Sequence, residues 1–512
     1  MLDVVIVGGG PVGIFLACEL KLAGLNPVVL ERLPEINQGD KAHGLTGQVV
    51  RLLDHRGLFE RCSGTPVPVP APAFFFGALP LPLHVLGQDN PMYLLPINQR
   101  DLERVLNERA AELGVDLRRG FELRTFEQRD DHVEVAVTNT SDGTGSTLTA
   151  RYLVGSDGAR STVRKQSGIG FPGHTDRRIV DRTALIAPTR QLTPAGPGLV
   201  HVQGLGTIPD TFHRTERGVL TIAMRNPERP LVYTAEWEDH PEESHPGPGK
   251  PMTLAEMEAS IERVLGVAVT LSPPPEGAPT LLRRISGRNT RVADRYRDRR
   301  VFLVGDAAHV HSAAGGPGLN LALQDAANLA WKLGADLHGW APDGLLDTFE
   351  SERHPLGRRV FTQTQAQTAL MSPGSDVTAL RELFTEFLTD RGNVRRIADL
   401  MAGSDVPYDM GVDQPSGVVG RFAPSIPLTL AGGRSARLPD LLRDARPVLI
   451  YPARDDEFER ALRPWSDRVT AVAVEPASGT EAMLIRPDGY VAWAGTRAGT
   501  LDQSLKRWFG AA

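Results

Sequence analysis

Asp3-Val4-Val5-Ile6-Val7-Gly8-Gly9-Gly10-Pro11-Val12-Gly13 opens the chain as an apolar run that breaks into glycines. The run reads as a fully buried parallel strand. The glycines at 8, 10 and 13 match the G-x-G-x-x-G spacing, and each has a separate physical task. Gly8 allows a tight turn, Gly10 lets the backbone approach a pyrophosphate, and Gly13 lets a helix pack closely on the strand. A mostly apolar helix from Val12 to Leu22 follows, with Gly24 as its C-terminal cap. Its N-terminus offers free N–H groups and a positive dipole end to phosphate oxygens. A second strand, Val28-Val29-Leu30, ends at Glu31, 18 residues after Gly13, where an acid suits a ribose diol.

About three hundred residues later, Gly305-Asp306-Ala307-Ala308-His309 leads into Gly315-Gly316-Pro317-Gly318-Leu319-Asn320. A third signature, Gly155-Ser156-Asp157-Gly158-Ala159-Arg160-Ser161, lies between the two. One fingerprint alone would be weak evidence. Three nucleotide-handling signatures far apart imply one extended cofactor held by distant parts of the chain. That pattern points to FAD, and to a flavoprotein that activates oxygen.

Composition narrows the class. The 512 residues are 41% hydrophobic and 23% charged, enough for a globular chain of two or three domains. A net charge of −6 gives no electrostatic case for nucleic acid. No apolar run reaches the ~18 residues of a membrane span, and the N-terminal apolar stretch is accounted for as a strand, so a cytoplasmic protein is expected. Cys18 and Cys62 make no disulfide framework, and there is no C-x-x-C. No metal is expected: the 13 histidines are scattered, and His309 and His311, two apart in a loop, are too few for a metal site.

The chain reads as α/β with an insertion. The proline-rich stretch at 64–96, with Phe74-Phe75-Phe76, is extended, and its phenylalanines read as core. Gln99 opens a helix to about Gly114, and a hairpin turning at Asp142-Gly143 delivers the chain to Asp157-Gly158. From 172 to 285 short alternating stretches, including Gly218–Met224 and Leu231–Trp237, read as antiparallel strands. Arg300–Val304 returns to the first sheet, Asn320–Leu337 is a long helix, and Leu345–Arg359 is another. Strands at Pro447–Tyr451 and Val469–Val474, a hairpin at Asp488-Gly489 and a helix at Leu501–Phe509 make a last unit. The expected domains are a discontinuous Rossmann-like FAD-binding domain (1–171 and 286–400), an antiparallel-sheet substrate domain (172–285) and a C-terminal unit (425–512).

The three signatures together resemble the class A FAD-dependent monooxygenases, the aromatic hydroxylases related to p-hydroxybenzoate hydroxylase. Ser351-Glu352-Arg353-His354, Thr364-Gln365-Ala366-Gln367 and Leu484–Trp493 extend the likeness to the bacterial polyketide hydroxylases, which tailor angucyclines, anthracyclines and tetracyclines and some of which act on rifamycins. The resemblance implies a thioredoxin-like C-terminal domain without redox cysteines. It implies that Gly8, Gly10, Pro11, Val12, Gly13, Glu31, Arg32 and Lys41 hold the ADP half of FAD. Gln99 reaches the middle of the cofactor, and Asp157 and Gly158 form the Asp-Gly motif. Asp306 hydrogen-bonds the ribityl chain, while Ala313, Gly316, Gly318, Leu319 and Asn320 lie against the flavin ring. Backbone N–H groups around Gly318, Leu319 and Asn320 open a helix and suit the negative charge of reduced flavin. Phe76, Phe212, Met224, Tyr233, Trp237, Ala314 and Gly315 are the candidate substrate pocket. Arg214 and Arg225 read as solvated.

The family usually has proline where this chain has Ala313 and glutamine where it has Pro317. It also usually has two arginines in the segment holding Lys41 and Gln48. The activity implied is oxygenation of an aromatic polyketide-type substrate with O2 and NAD(P)H, NADPH favoured, through a flavin C4a-hydroperoxide, hydroxylation being the main outcome. Only one dinucleotide fingerprint is present, so the nicotinamide is a transient visitor. Two other readings stay open: Baeyer–Villiger or ring-cleaving oxygenation, and a flavin-binding scaffold without redox turnover. Spacing singles out no catalytic base among the His, Tyr and Arg residues. The expected assembly is a monomer or homodimer.

Overall fold

Leu2–Val7 lies at the centre of a sheet of eight strands. The structure is a computed structural model, and it describes residues 1–36, 44–224, 226–238, 251–278, 280–312, 316–412, 416–453, 456–475 and 481–512. The strand order across this sheet is Arg297–Asp298, Val301–Leu303, Gly145–Gly155, Leu2–Val7, Pro27–Glu31, Asp116–Arg119. From Val301–Leu303 to Asp116–Arg119 every neighbouring pair is parallel. Val4, Val5 and Ile6 are completely buried, as a strand covered on both faces requires. Parallel strands put their carboxyl ends on one rim, and ligands of such sheets bind outside that rim. Gly8, Glu31, Ser156 and Val304 all stand there.

Two helices rise from this rim. Pro11–Leu22 starts directly after the glycines, with Pro11 in its first turn. Pro317–Leu337 also begins with a proline, three residues earlier than the periodicity suggests. Proline has the right φ for the first helical position, and the N–H it lacks would have no intrahelical partner there. The next helix, Asp347–Met371, runs twelve residues beyond Arg359, with Pro355 inside it. Helices Ser375–Phe387 and Arg391–Ala402 follow.

The inserted region is a six-stranded sheet, His213–Thr215, Gly218–Ala223, Leu231–Trp237, Gly173–Leu185, Leu282–Val292, His309–Val310, antiparallel throughout. Its alternation is that of a sheet with two different faces. Leu220 and Ile222 point to the helix Leu254–Leu265 and pack with Met257, Ile261 and Val264. Val219 and Ala235 point the other way, toward Met371. The strand Leu282–Val292 runs past residue 285 and pairs with His309–Val310. The sheet is thereby tied to the loop that carries the Gly305–His309 signature.

The C-terminal unit is a βαβ segment (Val448–Pro452, Asp456–Leu462, Thr470–Val474) followed by ββα (Ala482–Ile485, Val491–Gly495, Leu501–Phe509). Its four strands form one mixed sheet, parallel between Val448–Pro452 and Thr470–Val474 and antiparallel elsewhere. Trp508 and Phe509 of the last helix meet Trp331 of the long helix, with ring centroids 6.4 and 6.1 Å apart, so this unit shares the core of the first domain.

Candidate active site

A cavity of about 800 Å³ opens on the carboxyl rim of the parallel sheet. Each glycine around it has a measurable reason. Gly8 has φ +107°, and a Cβ there would strike the Ser156 carbonyl. At Gly13 a Cβ would strike the Gly8 carbonyl and come within 2.6 Å of Ser156 Oγ, so this glycine brings the helix onto the loop and is not itself part of the lining. Gly10 is different: a Cβ would meet no protein atom within 4 Å, because the space beside it is the cavity. The same holds at Gly158, Gly316 and Gly318. Bare backbone facing an open cleft at helix N-termini is a cradle for phosphates and for a flat polar ring. The residues present therefore fit FAD.

The polar groups are arranged along the cleft. Glu31 accepts the Gly9 N–H at 2.7 Å and the Leu33 N–H at 2.8 Å, which fixes its carboxylate at the end of its strand. Arg32, Pro11 and Val12 line the same region. Gln99 lies in the first turn of Gln99–Glu112, capped by Asn98, and donates to Glu103 at 2.7 Å. Asp157 uses one oxygen to accept the N–H groups of Thr162 and Val163, at 2.6 and 3.2 Å. Its Oδ1 is buried and lacks a partner among the described residues, and burial raises its pKa. Asp306 stands on the short turn Gly305–Ala307 and lines the cleft. Leu319 lines it too, but the Asn320 side chain is turned away. Asn320 bonds the Thr46 N–H and hydroxyl at 3.0 and 2.7 Å, and the Gly316 carbonyl at 3.0 Å. It braces the turn that presents Gly316 and Gly318. Lys41, Arg225, Ala313, Ala314 and Gly315 lie outside the described residues.

One part of the cavity lining is aromatic. Phe74, Phe75 and Phe212 line it, with Phe74 stacked on Phe75 at 4.4 Å and Phe75 edge-on to Phe212 at 4.7 Å. Several candidate pocket residues are placed elsewhere. Phe76 is 3% exposed and stacks on Phe384 in a separate core. Met224 shares the phase of Leu220 and Ile222 and packs toward the covering helix. Tyr233 stands behind Phe212, and neither it nor Trp237 reaches the lining. Tyr233 instead donates to Asp181 at 2.5 Å and accepts from Arg288 at 2.6 Å. Arg214 is not solvated: it binds the Ser372 and Gly374 carbonyls and the Thr378 hydroxyl, joining the sheet to the end of Asp347–Met371.

Two histidines acquire a role that the sequence reading did not give them. His309 is completely enclosed, and its Nε2 lies 2.6 Å from Asp325 Oδ2. His311 stacks on it, ring centroids 5.2 Å apart and planes at 18°, and lines the cavity. Beside it Ser312 also lines the cavity and meets Arg288 at 3.5 Å. Arg119 and Thr46 are further lining residues that carried no motif, and Arg160 of the third signature lines the cavity too. Among the described residues no group of three or more His, Cys, Asp or Glu is placed to hold a metal, and no helix is long and apolar enough to cross a membrane.

Comparison with known proteins agrees with this geometry. Residues 1–364 match the FAD binding domain family and residues 416–512 match the aromatic-ring hydroxylase C-terminal family. The chain is 38% identical to the 12-dehydrotetracycline 5-monooxygenase/anhydrotetracycline 6-monooxygenase of Streptomyces rimosus, over 99% of each chain. The solved structure of an aromatic hydroxylase from angucycline biosynthesis superposes with a TM-score of 0.85 at 33% identity, covering 100% of this chain and 99% of that one. A dialkyldecalin synthase from Streptomyces rugosporus is 34% identical over 99% of each chain. Matches of this extent, over a cleft built for FAD, place the chain in the FAD-dependent aromatic-ring hydroxylases, a family of flavin monooxygenases.

Proposed function

We propose that the substrate of this monooxygenase is an aromatic polyketide bearing a phenolic hydroxyl, and that the reaction is its hydroxylation. The single observation that carries the reading is the continuity of one cavity with two linings. Glycine backbone and helix N-termini line part of it, and Phe74, Phe75 and Phe212, in mutual contact, line another part. Offset and edge-to-face contacts with three phenylalanines suit a flat fused-ring molecule, and a cavity of about 800 Å³ has room for more than a dinucleotide's phosphates.

FAD supplies hydride acceptance from NAD(P)H and the activation of O2. The chain's own residues bind and orient. Gly8, Gly10, Glu31 and Arg32 are assigned to the ADP half, Gln99, Asp157 and Asp306 to the middle, and the backbone of Gly316, Gly318 and Leu319 to the ring. The phenylalanine wall positions the substrate and excludes water from the ring end. Arg214 anchors the overlying sheet so that the wall keeps its place.

Incubating the holoenzyme with anhydrotetracycline and simpler naphthols, with NADPH or NADH, tests the proposal. Substrate-stimulated NAD(P)H oxidation and a product heavier by one oxygen are expected. The relationship to a dialkyldecalin synthase favours one competing reading, a flavoprotein that shapes its substrate without redox turnover. Conversion of a substrate without NAD(P)H consumption and without mass gain would establish that reading instead.

A further inference from the structure

We propose that His311 takes the proton of the substrate hydroxyl during oxygenation, with His309 and Asp325 as positioning residues behind it. The inference rests on the phenolic-substrate reading above.

His311 lines the same cavity as Phe75 and Phe212. Both of its ring nitrogens are shut away from solvent, and neither has a hydrogen-bond partner among the described residues. An imidazole enclosed with two unused nitrogens is costly unless something that enters the cavity satisfies it. A hydroxyl on a flat ring held by the phenylalanine wall has the right chemistry, since it can donate to one nitrogen.

The ring cannot turn freely. It lies flat on His309, which is fixed by Asp325 at 2.6 Å. Asp325 in turn accepts Arg353 Nε at 2.7 Å, and Arg353 holds the Leu321 carbonyl and the Tyr408 hydroxyl. His309, Asp325 and Arg353 are fully buried, so the half-buried His311 rests on a rigid support. The support is a ring stack, not a hydrogen-bonded relay: it limits the tilt of the imidazole while leaving both of its nitrogens open to a hydroxyl in the cavity. Burial and the neighbouring His309 hold the pKa of His311 well below the ordinary imidazole value, while Asp325 pulls the other way. His311 is therefore neutral near pH 7, the form that accepts a proton. The other titratable and charged groups around it are Asp306 on the same loop and, from the overlying sheet through Ser312, Arg288 with Asp181 and Tyr233.

The step balances as follows. The substrate O–H bond breaks and an N–H bond forms on His311. The freed electron pair moves into the ring and makes its ortho carbon nucleophilic toward the oxygen atom that FAD and O2 supply. The O–O bond breaks as the C–O bond forms, and the second oxygen atom leaves as water with the electrons of NAD(P)H. The ring carbon then loses its hydrogen as a proton, and the ring oxygen recovers a proton from His311. The aromatic ring and the neutral imidazole are both restored, with NAD(P)H and O2 of the family reaction as reductant and oxidant.

His311→Gln in the full-length holoenzyme tests this, with anhydrotetracycline and 1-naphthol as probes. The expected result is retained FAD and probe binding, with product formation lower by about 100-fold or more. Peroxide released per NAD(P)H should rise, and the rate should recover as pH approaches the free phenol's own ionisation. His309→Gln should shift the pH midpoint of turnover while leaving KM unchanged. Hydroxylation by His311→Gln within about threefold of the unsubstituted enzyme overturns the inference, because general-base removal costs far more than that. So does a loss that raising the pH does not restore. If His311→Gln fails to hold FAD, His311→Asn is used, and loss of FAD in both makes the residue structural and overturns the proposal. If the unsubstituted enzyme oxygenates only non-phenolic ketones, the substrate reading itself fails and takes this inference with it.

Discussion

Arg486 and Glu352 meet across the seam between the C-terminal unit and the FAD-binding domain, Nη1 to Oε1 at 2.6 Å and Nη2 to Oε2 at 2.8 Å, with both side chains essentially buried. Lys332 and Asn328 converge on the same Glu352 oxygen, each at 2.7 Å. Asp488 completes the cluster against Arg486, and Trp508 lies over the guanidinium at 4.5 Å. A buried pair of this kind adds little when intact, but loss of one partner leaves an uncompensated charge.

Arg486→Ala should therefore destabilise the protein by about 3–5 kcal/mol, the usual cost of orphaning a buried carboxylate. Deletion of 425–512 should be worse, since it strips Glu352 of Arg486 and exposes Trp331. Denaturant unfolding and sedimentation after expression measure both. A truncated protein that stays in solution with FAD bound and normal coupling would show that the seam is dispensable.

Acid should weaken the same seam. His55 stacks on Phe422 at 4.8 Å, and burial, then Arg51, Arg56 and Arg437, hold its pKa well below 6.5. The unfolded chain takes up a proton below about 6.5 that folded His55 refuses, so its contribution is present above that pH and lost as pH falls. Glu352, held down to about 2 against an ordinary 4.5, adds a second loss between those two values. Lys332 acts at the other end: its pKa is lowered from 10.5 to about 8 by burial, so between those values the unfolded chain keeps a proton that the folded one releases, and stability rises with pH there. Tm measured from pH 7.5 to 5.5 should fall, and His55→Gln should flatten that slope. An unchanged slope would remove His55 from the account.

Arg214→Ala should loosen the sheet from the helix end it clasps at Ser372, Gly374 and Thr378. Phe212 lies two residues away and forms part of the aromatic wall. Substrate KM should rise several-fold while FAD affinity is unchanged, as positioning contacts remote from the cofactor require. Equal KM values would confine Arg214 to stability.

What could be read from sequence was what local sterics dictate. The run Asp3–Val7, the glycines at 8, 10 and 13, and the acid at 31 each impose their geometry within a few residues, and the strand, turn and helix follow directly. Phase was less accessible. Alternation marked Gly218–Met224 as a strand, but only the position of Leu254–Leu265 decides that Met224 faces the helix and not the cavity. The triplet Phe74-Phe75-Phe76 shows no phase of its own, and only the partner Phe384 decides that Phe76 packs away from the cavity that Phe74 and Phe75 line. Arg214 depends on carbonyls about 160 residues away, which no local pattern reveals. His311 was visible as one of two histidines two apart. Spacing alone tests such a pair only as metal ligands, because the Asp325 that orients His309 lies on the helix Pro317–Leu337.

The two glycines of the first loop should separate folding from cofactor binding. At Gly10 a side chain meets no protein atom, so Gly10→Val leaves the packing intact and projects into the space assigned to the pyrophosphate. At Gly13 the added carbon would collide with the Gly8 carbonyl and Ser156 Oγ, so Gly13→Val pushes the helix Pro11–Leu22 off its strand. Gly10→Val should yield folded apoprotein: colourless, with near-native far-UV circular dichroism, and with FAD affinity reduced by an order of magnitude or more, about 1.4 kcal/mol or above. Gly13→Val should lose thermal stability whether or not FAD is added, because overpacking against fixed backbone has no flexible neighbour to absorb it. Titrating each variant with FAD while following flavin fluorescence and Tm decides the matter. Gly10→Val protein that binds FAD as tightly as the unsubstituted chain would mean the cofactor does not pass over this loop, and the assignment of the whole ADP end would fall with it.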